Sequence, residues 1–514
     1  MPGRMEFEFG FATQGIAGRK RQEGPMRLLL MGDFSGRADR GVVEIGSGLA
    51  SRPVRSLDVD NFESVMGRCM PRLHLSLGET QAAKLDLEFR ALDDFHPDAL
   101  YRGLELFQAL RTLRDRLAKP DTFPQASKEL MQSAMASGVP PTASPATEPL
   151  SPEQPESDED MFQRLLGKTP GKPGPENLVQ ATGVDKFIHD IVRPYIVHRD
   201  IAHQDAYIAS VDEAISTQMR RLLHEPAFQA LESSWRSVHR LVTGLETGEE
   251  LRLYLLDVSK QELTADIAAA GENLQGSGLY RLLVEQGMQT LGGEPWSLLV
   301  GDYRFGPGAE DTGLLAALGA IASQAGGPFL AEASPEVLGC ASLADNPSPE
   351  AWQPLEHEAE RCWRALRQSP VARWIGLALP RVLLRLPYGS EAEAIDTFGF
   401  EEVSVAPGDH EDYLWGSPAC ACAMLLAAAF LDRGWAMQPG DYLDIEDLPA
   451  YTYVDDEGRS LMPCAEVLLS ERTGEVMLGR GVMPLLSYRN RNAVRVLRFQ
   501  SIADPLTALS GAWA

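Results

Sequence analysis

The stretch MRLLLMGDFSG, residues 26–36, is an apolar run that ends in a turn bounded by glycines. A short apolar run before such a turn is typical of a buried strand. Three later stretches have the same character: LRLYLLDVS (251–259), WSLLVGDYRF (296–305) and WIGLALP (374–380). Helical patterns lie between them, for instance at 313–325. This alternation predicts a mixed α/β fold (α/β with α+β character) around a largely parallel sheet.

Further elements surround this framework. RLHLSLG (72–78) and KLDLEF (84–89) alternate between apolar and polar residues, which predicts half-buried strands. The segment 99–118 carries an apolar residue every three or four positions, as an amphipathic helix does. Residues 205–242 are also helical in pattern, with a break at Pro226.

A change of composition divides the chain. Pro, Ser, Thr, Ala and acidic residues dominate from Ser133 to Glu176, which is typical of a disordered linker. We therefore predict a small domain over 5–125, a linker over 126–180 and a larger domain with terminal strands over 181–514. The linker contains one apolar island, MFQRLLG (161–167), which is either a short helical docking motif or a chance cluster.

Charge and cysteine content narrow the function. The chain has 514 residues, with 73 acidic against 47 basic residues and a net charge of −26, which argues against nucleic-acid binding. The six cysteines form no CxxC pair, as expected of reduced thiols in the cytosol. The start MPGRMEFEFG lacks the apolar core of a signal peptide. The apolar run 419–431 is too short to span a bilayer, so we predict a buried helix and no membrane insertion.

Each candidate enzyme motif lacks a residue that its chemistry requires. GKT (167–169) has Phe162 where a phosphate loop requires glycine, and it lies in the linker. HEAER (357–361) has Arg361 in place of the second histidine of a zinc protease. No GxSxG motif is present. We expect neither catalysis nor a cofactor.

The cluster LDDFHPDAL (92–100) allows two interpretations. Asp93, Asp94 and His96 could serve a metal-dependent hydrolase. Alternatively, Asp93, Asp94 and Asp98 cap a helix that begins near Pro97, because proline and acidic residues are favoured in the first helical turn. Helix capping is the favoured interpretation.

The arginine-rich tail MPLLSYRNRNAVRVLRFQS (483–501) predicts one or two exposed strands. A nucleic-acid patch conflicts with the overall negative charge. Pairing with an acidic or backbone-rich edge of a partner is the alternative, since an exposed terminal strand can add to a neighbouring sheet.

Several longer segments resemble the contractile sheath of type VI secretion systems. LLLMGDFSGR (28–37), SLDVDNFESVMGRCMPRLHLSL (56–77) and LEFRALDDFHPDAL (87–100) resemble the small subunit, TssB or VipA, over about 5–125. The segments that resemble the large subunit, TssC or VipB, over about 185–505, include LLHEPAFQALESSWRSVHRLV (222–242), GGEPWSLLVGDYRF (292–305) and DYLWGSPACACAMLLAAAFLDRGW (412–435). The two subunits are normally separate chains, so this sequence looks like a fusion.

The resemblance implies a structural protein of the bacterial cytoplasm, in an assembly anchored to the envelope. Such subunits form a helical homopolymer around an inner tube of hexameric rings, contract to propel tube, spike and effectors, contact baseplate proteins, and are disassembled by an AAA+ unfoldase. Because the subunits are fused, a non-contracting adaptor or a baseplate or cap component is the alternative. Co-assembly with separate small or large subunits stays open.

The resemblance also suggests interaction residues. The family exchanges strands between protomers, which suggests EFEFGFA (6–12) and the tail strand 487–499. The candidate residues there are Phe7, Phe9, Phe11, Tyr488, Arg489, Arg491, Val494, Arg495, Val496 and Arg498. The family's unfoldase-docking helix would be expected at the island 161–167. The candidate docking residues there are Met161, Phe162, Leu165 and Leu166.

Overall fold

The structure is a computed structural model that describes residues 24–77, 83–136, 191–192, 204–288, 293–390, 392–393, 395–403, 408–455 and 458–513. The segments 6–12 and 161–167, with their candidate interaction residues, lie outside the described residues. The chain divides into two compact units, Met1–Gly103 with Ser216–Ala514, and Leu104–Ile215.

The strands are β1 (Met26–Gly32), β2 (Arg55–Leu57), β3 (Arg72–Leu77), β4 (Ala83–Glu88), β5 (Leu251–Asp257), β6 (Leu298–Phe305), β7 (Phe329–Ala333), β8 (Ile375–Leu379), β9 (Val382–Leu383), β10 (Trp415–Gly416), β11 (Asp444–Ile445), β12 (Thr452–Asp455), β13 (Gly458–Leu461), β14 (Met483–Ser487) and β15 (Val494–Val496). The helices are α1 (Ser47–Ala50), α2 (Phe62–Cys69), α3 (Pro97–Gly103), α4 (Glu105–Ala118), α5 (Phe123–Ala136), α6 (Gln204–Leu223), α7 (Pro226–Gly244), α8 (Lys260–Ala270), α9 (Gly278–Tyr280), α10 (Ala309–Ala325), α11 (His357–Gln368), α12 (Pro418–Arg433) and α13 (Glu471–Gly479). Short 3₁₀ helices lie at Leu92–Phe95, Leu274–Gly276, Pro335–Leu338, Pro349–Ala351, Pro370–Trp374, His410–Asp412 and Gly434–Ala436, and a π-helix at Arg281–Gln286.

The larger unit is built on a nine-stranded sheet in the order β11-β15-β14-β8-β7-β6-β1-β5-β2. The six strands from β14 to β5 run parallel to their neighbours, and antiparallel strands flank them on both sides. The mixed α/β fold class is therefore confirmed. Parallel strands buried on both faces need continuous apolar runs, which explains the composition of β1 and β6.

The opening stretch lies inside this sheet, with two strands, β5 and β2, between it and the nearer edge. The β1 strand pairs with β5 from Met26↔Leu251 to Gly32↔Asp257, and with β6 from Leu28↔Leu298 to Met31↔Gly301. The β2 strand also joins the sheet, on the outer edge of β5. The region before the linker thus contributes strands to the sheet of the region after it, so the linker does not mark a boundary of the sheet. Among the described residues of this N-terminal part, the β3–β4 hairpin forms a separate two-stranded sheet.

The tail is placed differently from the prediction. All five residues of β14 are buried, and β14 pairs with β8 and β15. In β15, Val494 and Val496 are fully buried, and only Arg495 between them points outward. The prediction of exposed tail strands is therefore wrong, because the apolar residues of both strands are required by the core of their own chain.

One of the two helices that the apolar patterns predict differs from the prediction, and the other agrees with it. The helix expected over 99–118 is interrupted at Leu104, whose backbone is extended, so that α3 and α4 are separate. Gly103 ends α3, and glycine is a weak helix former. The long helix pattern over 205–242 does divide before Pro226, which takes the first position of α7.

The apolar helix α12 is a core element. Extended by its 3₁₀ turn to Ala436, it has the length and composition of a membrane span, yet 56% of its apolar window is buried in the protein. It packs on β6, β7, β8 and α7, which confirms the predicted buried helix. The helix α10 is buried along nearly its whole length and also contacts β6 and β7.

The smaller unit is helical. Leu106, Leu110, Leu113 and Leu117 form the buried face of α4, as their spacing predicts. The guanidinium of Arg116 in α4 binds Glu129 in α5, with a distance of 2.6 Å between nitrogen and oxygen. The amide of Gln204 donates to the last carbonyls of α4, those of Leu117 and Ala118.

Candidate assembly interface

Residues 24–103 contact residues 216–513 along a continuous surface, which we call the seam. Its centre is the insertion of β1 between β5 and β6. Backbone bonds extend the pairing beyond the strands, from Met26 N to Glu250 O and from Val258 N to Gly32 O. Every residue of β1 except Arg27 is buried. The seam therefore has the character of a protein core rather than of a docking surface.

A buried ion cluster holds the seam beside these strands. The carboxylate of Glu262 is fully buried and accepts hydrogen bonds from Arg37 at 2.9–3.0 Å and from Arg52 at 2.8 and 3.1 Å. Both arginines also bind Glu44, whose side chain is 53% exposed. Bidentate arginine–carboxylate pairs are the strong form of this interaction. Burial raises the pKa of Glu262, but the bonds from Arg52 and Arg37 outweigh it and hold the pKa at about 2.

Glu262 has a local role as well. With Ser259 it forms a capping box at the start of α8: Ser259 N donates to the carboxylate of Glu262, and Glu262 N donates to Oγ of Ser259. The same carboxylate thus orders the helix that follows β5 and the loop that follows β1. Removing its charge would disturb both regions.

Polar and aromatic contacts continue the seam. Ser35 donates through its hydroxyl and its backbone N–H to Asp257, at 2.7 and 3.1 Å. The indole N–H of Trp235 donates to the carbonyl of Phe34, and the two rings meet edge to face 5.5 Å apart. Phe62 packs on the same indole. Burial raises the pKa of Asp257 to about 6, although the hydrogen bond from Ser35 acts in the opposite direction.

The LDDFHPDAL cluster also belongs to the seam. Asp94 accepts from the backbone of Arg90 and Ala91, at 2.6 and 2.9 Å, and so caps the 3₁₀ helix Leu92–Phe95. His96, rather than an aspartate, receives the first N–H groups of α3, through its carbonyl and its Nδ1. Asp93 is exposed.

Asp98 differs from its expected capping role. Its carboxylate is buried and accepts from the backbone N–H groups of Asp396 and Thr397, each at 3.1 Å, and from the hydroxyl of Thr397. Burial raises its pKa, and these hydrogen bonds lower it to below the ordinary value. Asp98 therefore ties α3 to the later segment 396–397 across the seam. Its hydrogen-bond partners are 298 and 299 positions away, so local sequence could not reveal them.

The hydrolase interpretation finds no geometric support. Among the residues that the structure describes, no group of three or more His, Cys, Asp or Glu side chains is placed to hold a metal ion. His96 instead contacts the ring of Tyr388 edge to face and lies 3.6 Å from a carboxylate oxygen of Glu393.

A second buried ion cluster lies within the region after the linker. Arg385 is almost fully buried and binds Glu232 at 2.8 Å and Glu402 at 2.7 Å. Arg236 also binds Glu232 and donates to the hydroxyl of Tyr388. For Arg385, the two carboxylates outweigh burial and raise its pKa further above its ordinary value. This cluster joins α7 to the segments 385–388 and 400–402.

The tail arginines find acidic partners in their own chain. Arg495 binds Asp444 in β11 at 3.1 Å, and Tyr488 donates to the same carboxylate at 2.7 Å. Arg491 pairs with Glu446, and Arg498 lies 3.6 Å from Glu475. The tail arginines therefore pair with acidic residues of their own chain, and pairing with the edge of a partner stays a prediction. Arg489 is exposed.

Sequence patterns missed Glu262, Arg37, Arg52 and Arg385. The S-x-x-E spacing of Ser259 and Glu262 is a readable capping signal, and it lies directly after a predicted strand. Nothing local connects it to Arg37, which is 225 positions away. Buried ion pairs between distant segments become visible only when the strands between them are in register.

Comparisons with known proteins agree with this architecture. Residues 205–503, more than half of the chain, match the tail sheath N-terminal domain family of EvpB and VipB. Residues 2–133 match the type VI secretion system VipA family. The seam therefore joins one region of each family.

Two curated proteins of Pseudomonas aeruginosa are similar to the chain. The type VI secretion system sheath protein TssC1 is 32% identical over 326 residues, which cover 62% of this chain and 65% of TssC1. The sheath protein TssB1 is 26% identical over 124 residues, which cover 23% of this chain and 69% of TssB1. The chain belongs to the type VI secretion sheath family, a family of structural proteins, and it carries VipA-like and VipB-like regions in one polypeptide.

Proposed function

We propose that this chain is a structural subunit of a contractile type VI secretion sheath, and that each molecule is a complete protomer of small and large parts. The observation that carries this proposal is the position of β1. A strand of the VipA-like region fills the slot between two strands of the VipB-like region, so one chain supplies both halves of the protomer. The energy for work comes from metastable contacts between many copies, and the chain hydrolyses nothing.

Assembly follows from repeated contacts between copies. A heterologous interface that does not close on itself produces a filament. In our proposal the sheath grows as a helical homopolymer around a tube of hexameric rings, in the bacterial cytoplasm. It starts on baseplate proteins in an assembly anchored to the envelope. No cofactor takes part.

Strand exchange between protomers is the proposed link, through Phe7, Phe9 and Phe11 and the tail segment 487–499. A deletion of 488–514 cannot test this, because Val494, Val496 and Ile502 belong to the core and their loss would unfold the protein. Deletion of residues 2–20 is the sharper test, since it leaves β1 and its pairing with β5 and β6 in place.

The experiment compares the full chain with the 2–20 deletion, each co-expressed with the tube protein and examined by electron microscopy. The full chain is expected to form tubules, and the deletion variant to remain soluble with an unchanged melting temperature but without tubules. Normal tubules from the variant would contradict the strand-exchange assignment. Absence of tubules from the full chain would contradict the sheath function itself.

A second variant tests the tail without disturbing the core. Arg489 and Arg498 are exposed and flank β15. Replacing both by glutamate is expected to reduce tubule formation, because the positive charges on either side of β15 become negative while its buried valines remain. Unchanged tubule number and length would argue against contact through this face.

Contraction is tested on the same tubules. Full-chain tubules are expected in a long and a short form, with the short form wider. Tubules of one fixed length under all conditions would favour the alternative of a non-contracting adaptor or a baseplate-linked component. The covalent fusion motivates that alternative, since it removes free exchange of the two parts.

Unfoldase docking is proposed for MFQRLLG, at Met161, Phe162, Leu165 and Leu166. The paired substitution Leu165→Asp and Leu166→Asp is expected to abolish capture of the AAA+ disassembly ATPase in a pull-down, while tubules still form. Equal capture by both proteins would reject the assignment. The matched control is Leu150→Asp, in the same linker but outside the island.

A further inference from the structure

Arginine side chains surround one pocket of the VipA-like region. The pocket has a volume of about 440 Å³ and is lined by six arginines, at positions 37, 40, 52, 55, 68 and 72. This volume lies within the range of small-molecule sites, about 300–1,000 Å³. Such a concentration of positive charge is unexpected in a chain of net charge −26.

Three of these arginines already have carboxylate partners. Arg37 and Arg52 bind Glu262 and Glu44, and Arg72 lies 3.3 Å from Glu88. Their charge is balanced by Glu262, Glu44 and Glu88, and they form the structured wall of the pocket.

The other three arginines have none. Arg40, Arg55 and Arg68 form no ion pair with a carboxylate among residues 24–77, 83–136 and the later described segments. Arg40 donates only to neutral oxygens of Gly36 and Ser35, at 3.1–3.2 Å. Three unbalanced guanidinium groups on one pocket repel one another, and a bound anion would relieve that repulsion.

The position of the pocket supports a ligand as well. Ser35 and Asp257 lie in its wall, directly after β1 and at the end of β5. Crevices at the carboxyl ends of parallel strands are the usual ligand sites of α/β sheets. Two carboxylates also line the pocket: Asp257 accepts two hydrogen bonds from Ser35, and Glu44 is paired with Arg37 and Arg52. The six arginines outnumber them, so the lining keeps an excess of positive charge.

We propose that this pocket binds a phosphate-bearing small molecule, held by Arg40, Arg55 and Arg68. Arginine presents a planar fork of N–H donors that matches two oxygens of a phosphate at once, which a lysine does not. Several guanidinium groups around one cavity suit a ligand with more than one phosphate. Free polyphosphate and the phosphate chain of a nucleotide share this chemistry. The proposal goes beyond the sheath function and does not depend on it.

The test is calorimetric titration of the soluble full chain with sodium tripolyphosphate at 50 and 150 mM salt. The wild-type chain is expected to bind, with weaker binding at the higher salt. The double variant Arg40→Gln with Arg68→Gln is expected to bind at least about tenfold more weakly, since two charge-assisted contacts are lost. The control variant, Arg364→Gln with Arg472→Gln, removes two exposed arginines outside the pocket and is expected to bind as wild type.

The outcomes separate the alternatives. Equal binding by the pocket variant and the control variant, or no binding by the wild type, overturns the proposal. Titration with ATP distinguishes the sources, because tighter binding than tripolyphosphate indicates a nucleotide and equal or weaker binding indicates free polyphosphate. A decapeptide of glutamate that binds more tightly than both would make the pocket a protein-docking surface, and this also overturns the proposal. All measurements use unassembled protein, so they are independent of tubule formation.

Discussion

The β1 strand and the tail strand β15 resemble each other in sequence, but the arginines beside them differ in burial. Both are apolar strands near arginines. β1 lies two strands from the sheet edge, between β5 and β6, and the arginine that follows it, Arg37, is 14% exposed and binds the fully buried Glu262. β15 lies one strand from the sheet edge, and Arg495 is 44% exposed and binds Asp444, which is 36% exposed. How much an arginine–carboxylate pair contributes to stability therefore depends on how deeply its two side chains are buried.

The largest loss of stability is expected from a substitution in β1. Leu30 is 2% exposed between β5 and β6, so Leu30→Asp would bury an unpaired carboxylate and is expected to destabilise the protein by more than about 4 kcal/mol. Soluble yield and thermal unfolding followed by circular dichroism measure this. The control Val43→Asp, at a residue that is 42% exposed, is expected to change stability by no more than about 0.5 kcal/mol. Similar yields and melting temperatures for both variants would contradict the burial of β1 between β5 and β6.

The second-largest loss of stability is expected from a substitution in the ion cluster of the seam. Glu262→Gln leaves Arg37 and Arg52 without their buried counter-charge, and is expected to lower the free energy of unfolding by about 3–5 kcal/mol. Glu44→Gln is the matched control, because Glu44 contacts the same two arginines but is 53% exposed. It is expected to cost about 0–1 kcal/mol. Urea unfolding separates the two variants, and equal losses would show that burial does not decide the strength of this cluster.

Lowering the pH tests the same ion cluster without a substitution. Glu262, Glu402 and Glu466 each have a pKa of about 2, because neighbouring cations outweigh the burial that would raise it. A carboxyl whose pKa is lower in the folded state contributes stability above its unfolded pKa, and this contribution is lost as the pH falls. We expect the urea midpoint to decrease as the pH falls from about 4.5 towards 2. The Glu262→Gln protein should show a weaker decrease, and an identical slope would contradict the role of Glu262.

The smallest effect is expected in the tail. Arg495→Gln removes an exposed ion pair with Asp444 and is expected to cost no more than about 1 kcal/mol. A shift in the urea midpoint as large as that of Glu262→Gln would contradict the inference that the buried ion cluster beside β1 stabilises the protein more than the exposed pair in β15. Raising the salt concentration should weaken the Arg495 pair and leave the Glu262 cluster nearly unchanged, since buried pairs are screened less.

Much of the fold could be predicted from local patterns. The strands β5, β6 and β8 lie within the apolar runs that indicated them, and α6 and α7 divide before Pro226 as expected. The six cysteines are buried and unpaired, as their spacing suggested. These features depend on residues a few positions apart, where periodicity and helix propensity act directly.

The site could be predicted less well. Asp94 was predicted to cap the helix that begins near Pro97, but it caps the preceding 3₁₀ helix through the backbone of Arg90 and Ala91, four and three positions away. Asp98 was assigned to the same helix start, but its carboxylate binds Asp396 and Thr397. A local pattern shows that an acidic residue is needed near a helix start, but it cannot distinguish a cap from a long-range bond.

The amino-acid sequence by itself determined the mixed α/β class, the strands β1, β5, β6 and β8, the division of α6 from α7, and membership of a family with two sheath-like regions. Only the tertiary structure decided that both regions share one sheet, with β1 between β5 and β6, and that the tail strands are buried in their own chain. The physical reason is that strand partners are chosen by backbone hydrogen bonds and apolar packing between segments more than 200 positions apart. An apolar run shows that a strand must be buried, but not which neighbours will cover it.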